Sequence, residues 1–344
     1  MKILLLAPQP FYEERGTPIA VKWVAETLGE AGHAVDLLTF PFGQDVAMPG
    51  VRVIRAKRPA GVTRVPIGVS FAKVRCDAHL YREARALLRE TRYDVVHACE
   101  ESAFFARSLA RRVGAKVVYD MDSSMADQLM EKWAWLKLFR PILERFEKYA
   151  IRAADLVLPV CQSLADKVDR VAPGKPRVLL HDMAMEFPPI PPDTEPLRAA
   201  LGSTGPFALY VGNLEHYQGI DLLLDGFAAA RAPDLSLVII GGREADVAKY
   251  RAKADALGLA GRIHLHGPRP LNRLAYYLEQ ADILVSPRLR GVNTPMKVYS
   301  YLLAGRALVA TRIESHTQVL DETCARLVEP TPAALGAALR ELAA

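Results

Sequence analysis

Two rhythms take turns along this chain. Short apolar runs alternate with longer stretches in which apolar residues recur every three or four positions, the pattern of strands interleaved with helices. Lys2–Ala7 is the first run, and Pro8 ends it too early for a leader's apolar stretch. A Pro- and Gly-bearing loop leads to Thr17, an amphipathic stretch reaches Ala31, and Gly32 stops it before a second strand, Ala34–Phe40. Such a strand–helix–strand unit predicts a right-handed crossover in a parallel sheet. Further strands are predicted at Val51–Ile54, Val95–Ala98, Lys116–Tyr119 and Leu156–Val160. Helices are predicted at Asp77–Glu90, Ser102–Val113, Met125–Ala154 and Ser163–Val171.

Four prolines between Phe187 and Pro192 can continue neither a helix nor a central strand, and they read as a linker. The alternation then restarts. Strands are predicted at Phe207–Val211, Leu235–Ile240, Ile263–His266, Ile283–Val285 and Ala307–Thr311, with helices between them, among them Asp221–Ala230 and finally Thr331–Ala344. The expected fold is α/β, with two Rossmann-like doubly wound domains, residues 1–188 and 189–344, facing across a cleft. Ligands of such domains bind at the carboxyl ends of the strands.

Composition narrows the class without choosing a chemistry. With 51% hydrophobic residues the chain can bury two cores, and no apolar run approaches a membrane span. Four scattered cysteines without a CxxC pair argue for a reducing cytoplasm and against a disulfide scaffold or zinc site. The net charge of +5 lies in the first half, where residues 52–92 hold 11 basic and 3 acidic residues. A one-sided basic surface suits an anionic partner such as a membrane face or a phosphorylated acceptor, or is a solvated face. It carries no nucleic-acid reading motif.

Each half contains a matching helix start, Gly16-Thr17-Pro18 and Asn293-Thr294-Pro295, with Thr predicted as N-cap and Pro at the first helical position. A helix start beside cations is a phosphate site, and Lys297, predicted at the third helical position, supplies one cation while Arg288 and Arg290 lie on the approach loop. Capping of two ordinary helices is the plainer alternative.

Two segments then point to a family. Phe207–Phe227, with its run from Tyr210 to Leu224 (YVGNLEHYQGIDLLL), resembles the opening strand, loop and helix of the C-terminal domain of family 4 glycosyltransferases, which have the GT-B fold. Leu284–Thr311 resembles that family's donor-binding loop, helix and strand, and Tyr93–His97, Ala154–Cys161 and the glycine loop at Gly16 have counterparts in its N-terminal domain. The resemblance implies transfer of a sugar from a nucleotide-sugar donor with retention of configuration, without a bound metal or cofactor. It also implies the donor on the C-terminal domain and a sugar or lipid-linked acceptor on the N-terminal one.

Four positions depart from the family pattern. Asn213 and Gln218 stand where an arginine and a lysine usually meet the diphosphate, and Val292 and Ser300 replace two glutamates separated by seven residues. The first of those glutamates usually holds the donor sugar and the second the ribose. The departures imply an unusual donor, a rebuilt site or lost catalysis. Candidate donor and phosphate residues are therefore Gly16, Thr17, Gly212, Asn213, Gln218, Arg243, Arg288, Arg290, Asn293, Thr294, Lys297 and Ser300.

On the acceptor side, Asp122 aligns with the family's cleft histidine, and Asp120 and Asp122 form a carboxylate pair suited to orienting an acceptor hydroxyl; they also spell an Asp-x-Asp metal motif. Glu100 is a candidate base; Glu101 lies at the same edge, either as a base or as a first-turn carboxylate complementing a helix dipole, and His97 is a ligand or a buried core residue. The aromatic, basic stretch from Trp133 to Phe146 is either a core helix face or an interfacial helix touching an anionic membrane surface, which would place the protein at the inner face of the membrane. The family usually continues beyond the last helix, so the end at Ala344 is expected to reflect truncation. Other readings are a catalytically silent partner subunit and a nucleotide-sugar epimerase.

Overall fold

A computed structural model describes residues 1–13, 16–66, 70–184, 196–202 and 204–344. The chain divides into two compact units, Met1–His181 and Asp182–Ala344. The proline-rich segment at 187–192 lies outside the described residues.

The first unit is a six-stranded, all-parallel sheet of β1 (Lys2–Ala7), β2 (Ala34–Thr39), β3 (Val51–Arg55), β4 (Val95–Cys99), β5 (Lys116–Met121) and β6 (Leu156–Pro159). Their order in space is β3-β2-β1-β4-β5-β6. Side chains alternate across a strand, so β1 feeds two cores: Leu4 and Leu6 join one apolar cluster, and Ile3 and Leu5 another. Helices covering both faces explain why β1 is an uninterrupted apolar run instead of an alternating one. The covering helices are α1 (Gly16–Glu30), α2 (Phe71–Glu90), α3 (Ala103–Ala110), α4 (Met125–Lys132), α5 (Arg140–Ala153) and α6 (Gln162–Val171).

The second unit repeats the plan with β7 (Phe207–Val211), β8 (Ser236–Ile240), β9 (Ile263–Gly267), β10 (Ile283–Ser286), β11 (Ala307–Thr311) and β12 (Arg326–Val328) in the order β12-β11-β10-β7-β8-β9. Its helices are α7 (Ile220–Ala230), α8 (Glu244–Ala256), α9 (Leu274–Gln280), α10 (Met296–Leu303), α11 (Glu314–Thr317) and α12 (Pro332–Leu342). Helices α7 and α12 meet closely at two glycines; a Cβ on Gly336 would sit 2.7 Å from the Gly226 carbonyl oxygen.

Three expectations need correction. The single helix predicted over Met125–Ala154 is broken: α4 ends at Lys132, Trp133 is extended, Ala134–Phe139 forms a 3₁₀ stretch, and α5 starts anew. Pro141 explains the restart, because it fits the first turn of α5 but not the interior of a longer helix. The break leaves Trp135, Leu138, Phe139, Ile142 and Phe146 exposed instead of lining a core. Second, neither Thr-Pro pair sits as predicted. Helix α1 begins at Gly16, which puts Pro18 third, where an amide would lack a partner anyway. Pro295 is itself the extended N-cap of α10, so Lys297 is the second helical residue instead of the third. Proline fixes φ and leaves ψ free, and ψ here is 127°. Third, the expected set of strands lacked β12, a three-residue edge strand with two apolar positions, too short to show any period.

Candidate functional site

In both units the chain places its first strand centrally, builds outward on one side, then crosses to the other. The crossing leaves a crevice at the carboxyl ends of the two central strands, where ligands of such sheets bind. In the second unit those strands are β7 and β10, paired in parallel through Ala208–Ile283 and Leu209–Leu284. The loops that leave them, 212–219 and 287–295, carry most of the candidate donor residues.

Lys297 is the centre of this site. Its Nζ donates to Gln218 Oε1 at 3.2 Å and stands 4.0 Å from the centroid of the Tyr210 ring. Burial, with the charge of Arg288 added, lowers its pKa to about 7. Among the described residues no carboxylate pairs with this ammonium. Gly212 makes the arrangement sterically possible: its φ is +148°, and a Cβ there would lie 2.5 Å from Lys297 Nζ. The Tyr210 hydroxyl donates to the Asn213 carbonyl at 2.6 Å, closing the loop around the cation.

The helix bearing Lys297 is tied to the strand edge, since the Val211 amide donates to the Tyr301 hydroxyl at 2.9 Å. By position, the first amides of α10 lack partners within the helix and add a partial positive charge beside the ammonium. The hydroxyl of Thr294, a residue only 3% exposed, has no hydrogen-bond partner among the described residues.

Arg288 proves to be a loop tie. Its guanidinium donates to the Arg290 carbonyl (2.6 Å), the Asn293 carbonyl (3.1 Å) and Asn293 Oδ1 (3.2 Å), and packs over the Tyr217 ring. It therefore holds the 288–293 loop and contributes charge to Lys297 from behind. Arg290 is exposed. Asn213, also exposed, accepts from the Glu215 amide through Oδ1 and shapes its own turn. Arg243 follows β8 and pairs with Asp246 and Glu215. Ser300 is buried on α10. Gly16 and Thr17 open α1 in the first unit.

Sequence reasoning passed over the network that fixes this loop from below. His316 is fully buried, with Nε2 2.8 Å from Ser286 Oγ and Nδ1 2.8 Å from the Thr311 carbonyl; the Thr311 hydroxyl donates to the Arg288 carbonyl. Burial lowers the His316 pKa to about 4, helped by Arg288 and Lys297. A lone histidine gives no pattern in sequence, and tyrosines 210 and 301 read there simply as apolar positions.

In the first unit the crevice lies between β1 and β4. Lys73 of α2 donates to the Pro8 carbonyl at 2.8 Å and ion-pairs with Glu101. Burial, with Glu100 beside it, pushes the Glu101 carboxyl up to about 8 against the pull of Lys73. Glu101 is thus a buried partner of Lys73 and not a solvated carboxylate. Glu100 is half-buried, with a left-handed φ of 46°, a strained conformation of the kind concentrated at functional sites. Asp120 turns inward, 3.0 Å from His97 Nε2 and 3.6 Å from Cys99 Sγ, so it does not act as one of an exposed pair. Asp122 lies just past β5, half-buried.

Two family models cover the chain: "Glycosyl transferase 4-like domain" over residues 15–181 and "Glycosyl transferases group 1" over residues 205–344. The phosphatidyl-myo-inositol mannosyltransferase of Mycolicibacterium smegmatis is 26% identical over 337 residues, which span 95% of this chain and 81% of that protein. Among solved structures, sucrose-phosphate synthase from Thermosynechococcus elongatus superposes with a TM-score of 0.73 at 20% identity, covering 99% of this chain and 89% of that one. The Anabaena protein HepE in complex with UDP gives 0.67 at 16% identity, with 99% and 89% covered.

His316→Gln is expected to lower unfolding stability by about 1–3 kcal/mol at neutral pH, read by chemical denaturation. The folded pKa near 4 lies below the unfolded value of about 6.5, so the unfolded chain binds more protons between them. Stability from this residue is full above 6.5 and is lost as pH falls towards 4. The variant should flatten that slope; an unchanged slope would exclude His316 as its source.

Proposed function

Since the chain belongs to glycosyltransferase family 4 and transfers sugars, we propose that its second unit holds a nucleoside-diphosphate sugar with the diphosphate on Lys297 and the start of α10. The observation that carries this reading is the ammonium itself. A half-buried cation with no carboxylate partner, beside a second cation and a helix start, is costly until an anion arrives. When the sugar leaves, negative charge grows on the diphosphate, so donors fixed in place favour the transition state over the ground state. The unpartnered Thr294 hydroxyl is the natural second donor to a ligand oxygen.

Gln218 keeps a supporting role in this scheme. Where the family resemblance predicts a cation, it accepts from Lys297 instead, which supports a rebuilt site with its charge on α10. The family resemblance implies a donor site without a metal, and on this reading Lys297 and the start of α10 supply the positive charge. HepE is described with UDP, which makes uridine diphosphate and its sugar conjugates the first ligands to try. Retention of configuration follows the family resemblance and is checked by the anomeric configuration of the product.

The first unit presents the acceptor, with Asp122 orienting its hydroxyl and Glu100 close to the same strand ends. A lipid-bearing acceptor accords with the mannosyltransferase relative, whose name specifies a phosphatidylinositol, and with the exposed apolar residues of 135–146 lying among Lys137, Arg140 and Arg145. Such a surface suits an anionic membrane face. No helix among the described residues is long and apolar enough to cross a membrane.

Lys297→Ala should weaken binding of the nucleotide sugar by about 1.5–3 kcal/mol in calorimetric titration. A diphosphate restores the lysine's charge, so binding takes up a proton, and affinity falls as pH rises above about 7. Equal affinity in both proteins, or no proton uptake, would remove Lys297 from the site. Asp122→Asn should reduce turnover by roughly 100-fold while leaving donor affinity intact; a loss of donor affinity instead would reassign it. In flotation with phosphatidylglycerol vesicles the protein should float and the Trp135→Ala/Phe146→Ala variant should not, with neither bound to phosphatidylcholine. Equal flotation of the two proteins would exclude this face.

A further inference from the structure

The first unit holds a second constellation that sugar transfer does not explain. His97 and Cys99 are two residues apart on β4 and so share a face of the sheet. The parallel register sets Asp120 of β5 opposite Cys99, which brings its carboxylate to the same face. His97 Nε2, Cys99 Sγ and a carboxylate oxygen of Asp120 all lie within 4.8 Å of one another. The three residues are 5%, 1% and 7% exposed.

Zinc in a tetrahedral site binds nitrogen, oxygen and sulfur at about 2.0–2.3 Å, which spaces its ligands roughly 3.3–3.8 Å apart. The separations from Asp120, 3.0 Å to His97 and 3.6 Å to Cys99, are within a few tenths of an ångström of that spacing, and His97 and Cys99 lie within 4.8 Å of each other. The donor set also selects the ion. Thiolate and imidazole together favour zinc and its borderline-soft neighbours over magnesium or calcium, which prefer oxygen alone. Two central strands, paired residue by residue from Val95 to Cys99, hold the ligands in place, so little ordering remains for binding to complete.

We propose that His97, Cys99 and Asp120 form a binding site for a divalent zinc-class cation, with the fourth position open to water or a ligand oxygen. Binding displaces the Cys99 thiol proton to solvent and leaves His97 neutral and Asp120 ionised. The site lies at the carboxyl end of β4, where the first unit has its crevice. It is independent of the donor assignment, which rests on the other unit.

Cobalt titration of the full chain, stripped beforehand with a chelator, tests the proposal without reference to activity. One equivalent of Co²⁺ should produce a thiolate-to-cobalt charge-transfer band together with the intense visible absorption of four-coordinate cobalt, and Zn²⁺ should bleach both. Cys99→Ser should lose the charge-transfer band and cost more affinity than the ~10–100-fold typical of outer-shell changes. Cys324→Ser, altering an exposed thiol, should change nothing. If Cys99→Ser fails to fold, Asp120→Asn keeps the shape while removing the carboxylate charge, and it should weaken cobalt binding by at least tenfold. No charge-transfer band in the native chain, or a band surviving in folded Cys99→Ser, overturns the proposal and leaves the three residues a hydrogen-bonded cluster.

Discussion

In a parallel sheet every strand ends on the same side, and the loops that can meet a ligand are the ones leaving those ends. Each unit of this protein is laid out under that constraint, with the chain starting in the middle and turning back past its own origin. Loops from the two central strands diverge there because one leads outward to the left and the other to the right. The crevice is a product of chain order. It is present in both units. What differs is the chemistry installed in it: an ammonium without a carboxylate partner in one unit, a buried histidine, thiol and carboxylate in the other.

The donor-side crevice shows how few choices hold an isolated cation. Lys297 can lie across the end of β7 only because position 212 lacks a side chain. The helix carrying it is pinned by Tyr301 to a strand amide, and the opposite wall is closed by Arg288 on its own loop. Below, the neutral imidazole of His316 couples the ends of β10 and β11. Within that frame the ammonium has no carboxylate partner among the described residues, and the buried Thr294 hydroxyl has no hydrogen-bond partner there. A tied frame around an unpaired cation is what preorganisation means in atomic terms.

The fold was legible because its strands are buried on both faces and therefore read as unbroken apolar runs; Lys2–Ala7, Phe207–Val211 and Ala307–Thr311 are found with the bounds their sequences predict. Legibility failed where the signal was local. The apolar period continues through Trp133 and Phe139, yet a proline two residues later and an extended tryptophan divide the helix. Helix starts were displaced because a Thr-Pro pair specifies a boundary only to within a residue or two. In the candidate site the cations were visible as residue types, but their roles were not. Arg288 and Lys297 look equivalent in sequence, and only the carbonyls around Arg288 show that one serves the loop, while the other has no carboxylate partner among the described residues. The grouping of Cys99 with Asp120 depends on strand register, which no reading of either segment alone contains.

Arg288 keeps its charge at any accessible pH, and together with burial it favours the neutral form of Lys297. On the proposed assignment an anion in the crevice reverses that bias in proportion to the negative charge it brings. A nucleoside diphosphate brings more than its sugar conjugate, because loss of the sugar exposes a further phosphate oxygen. On the proposed assignment the spent carrier is therefore held harder than the loaded one, and turnover is paced by its departure. Competition from the discharged nucleotide would then make the enzyme sensitive to the ratio of charged to discharged carrier, a form of supply sensing that needs no separate regulatory site.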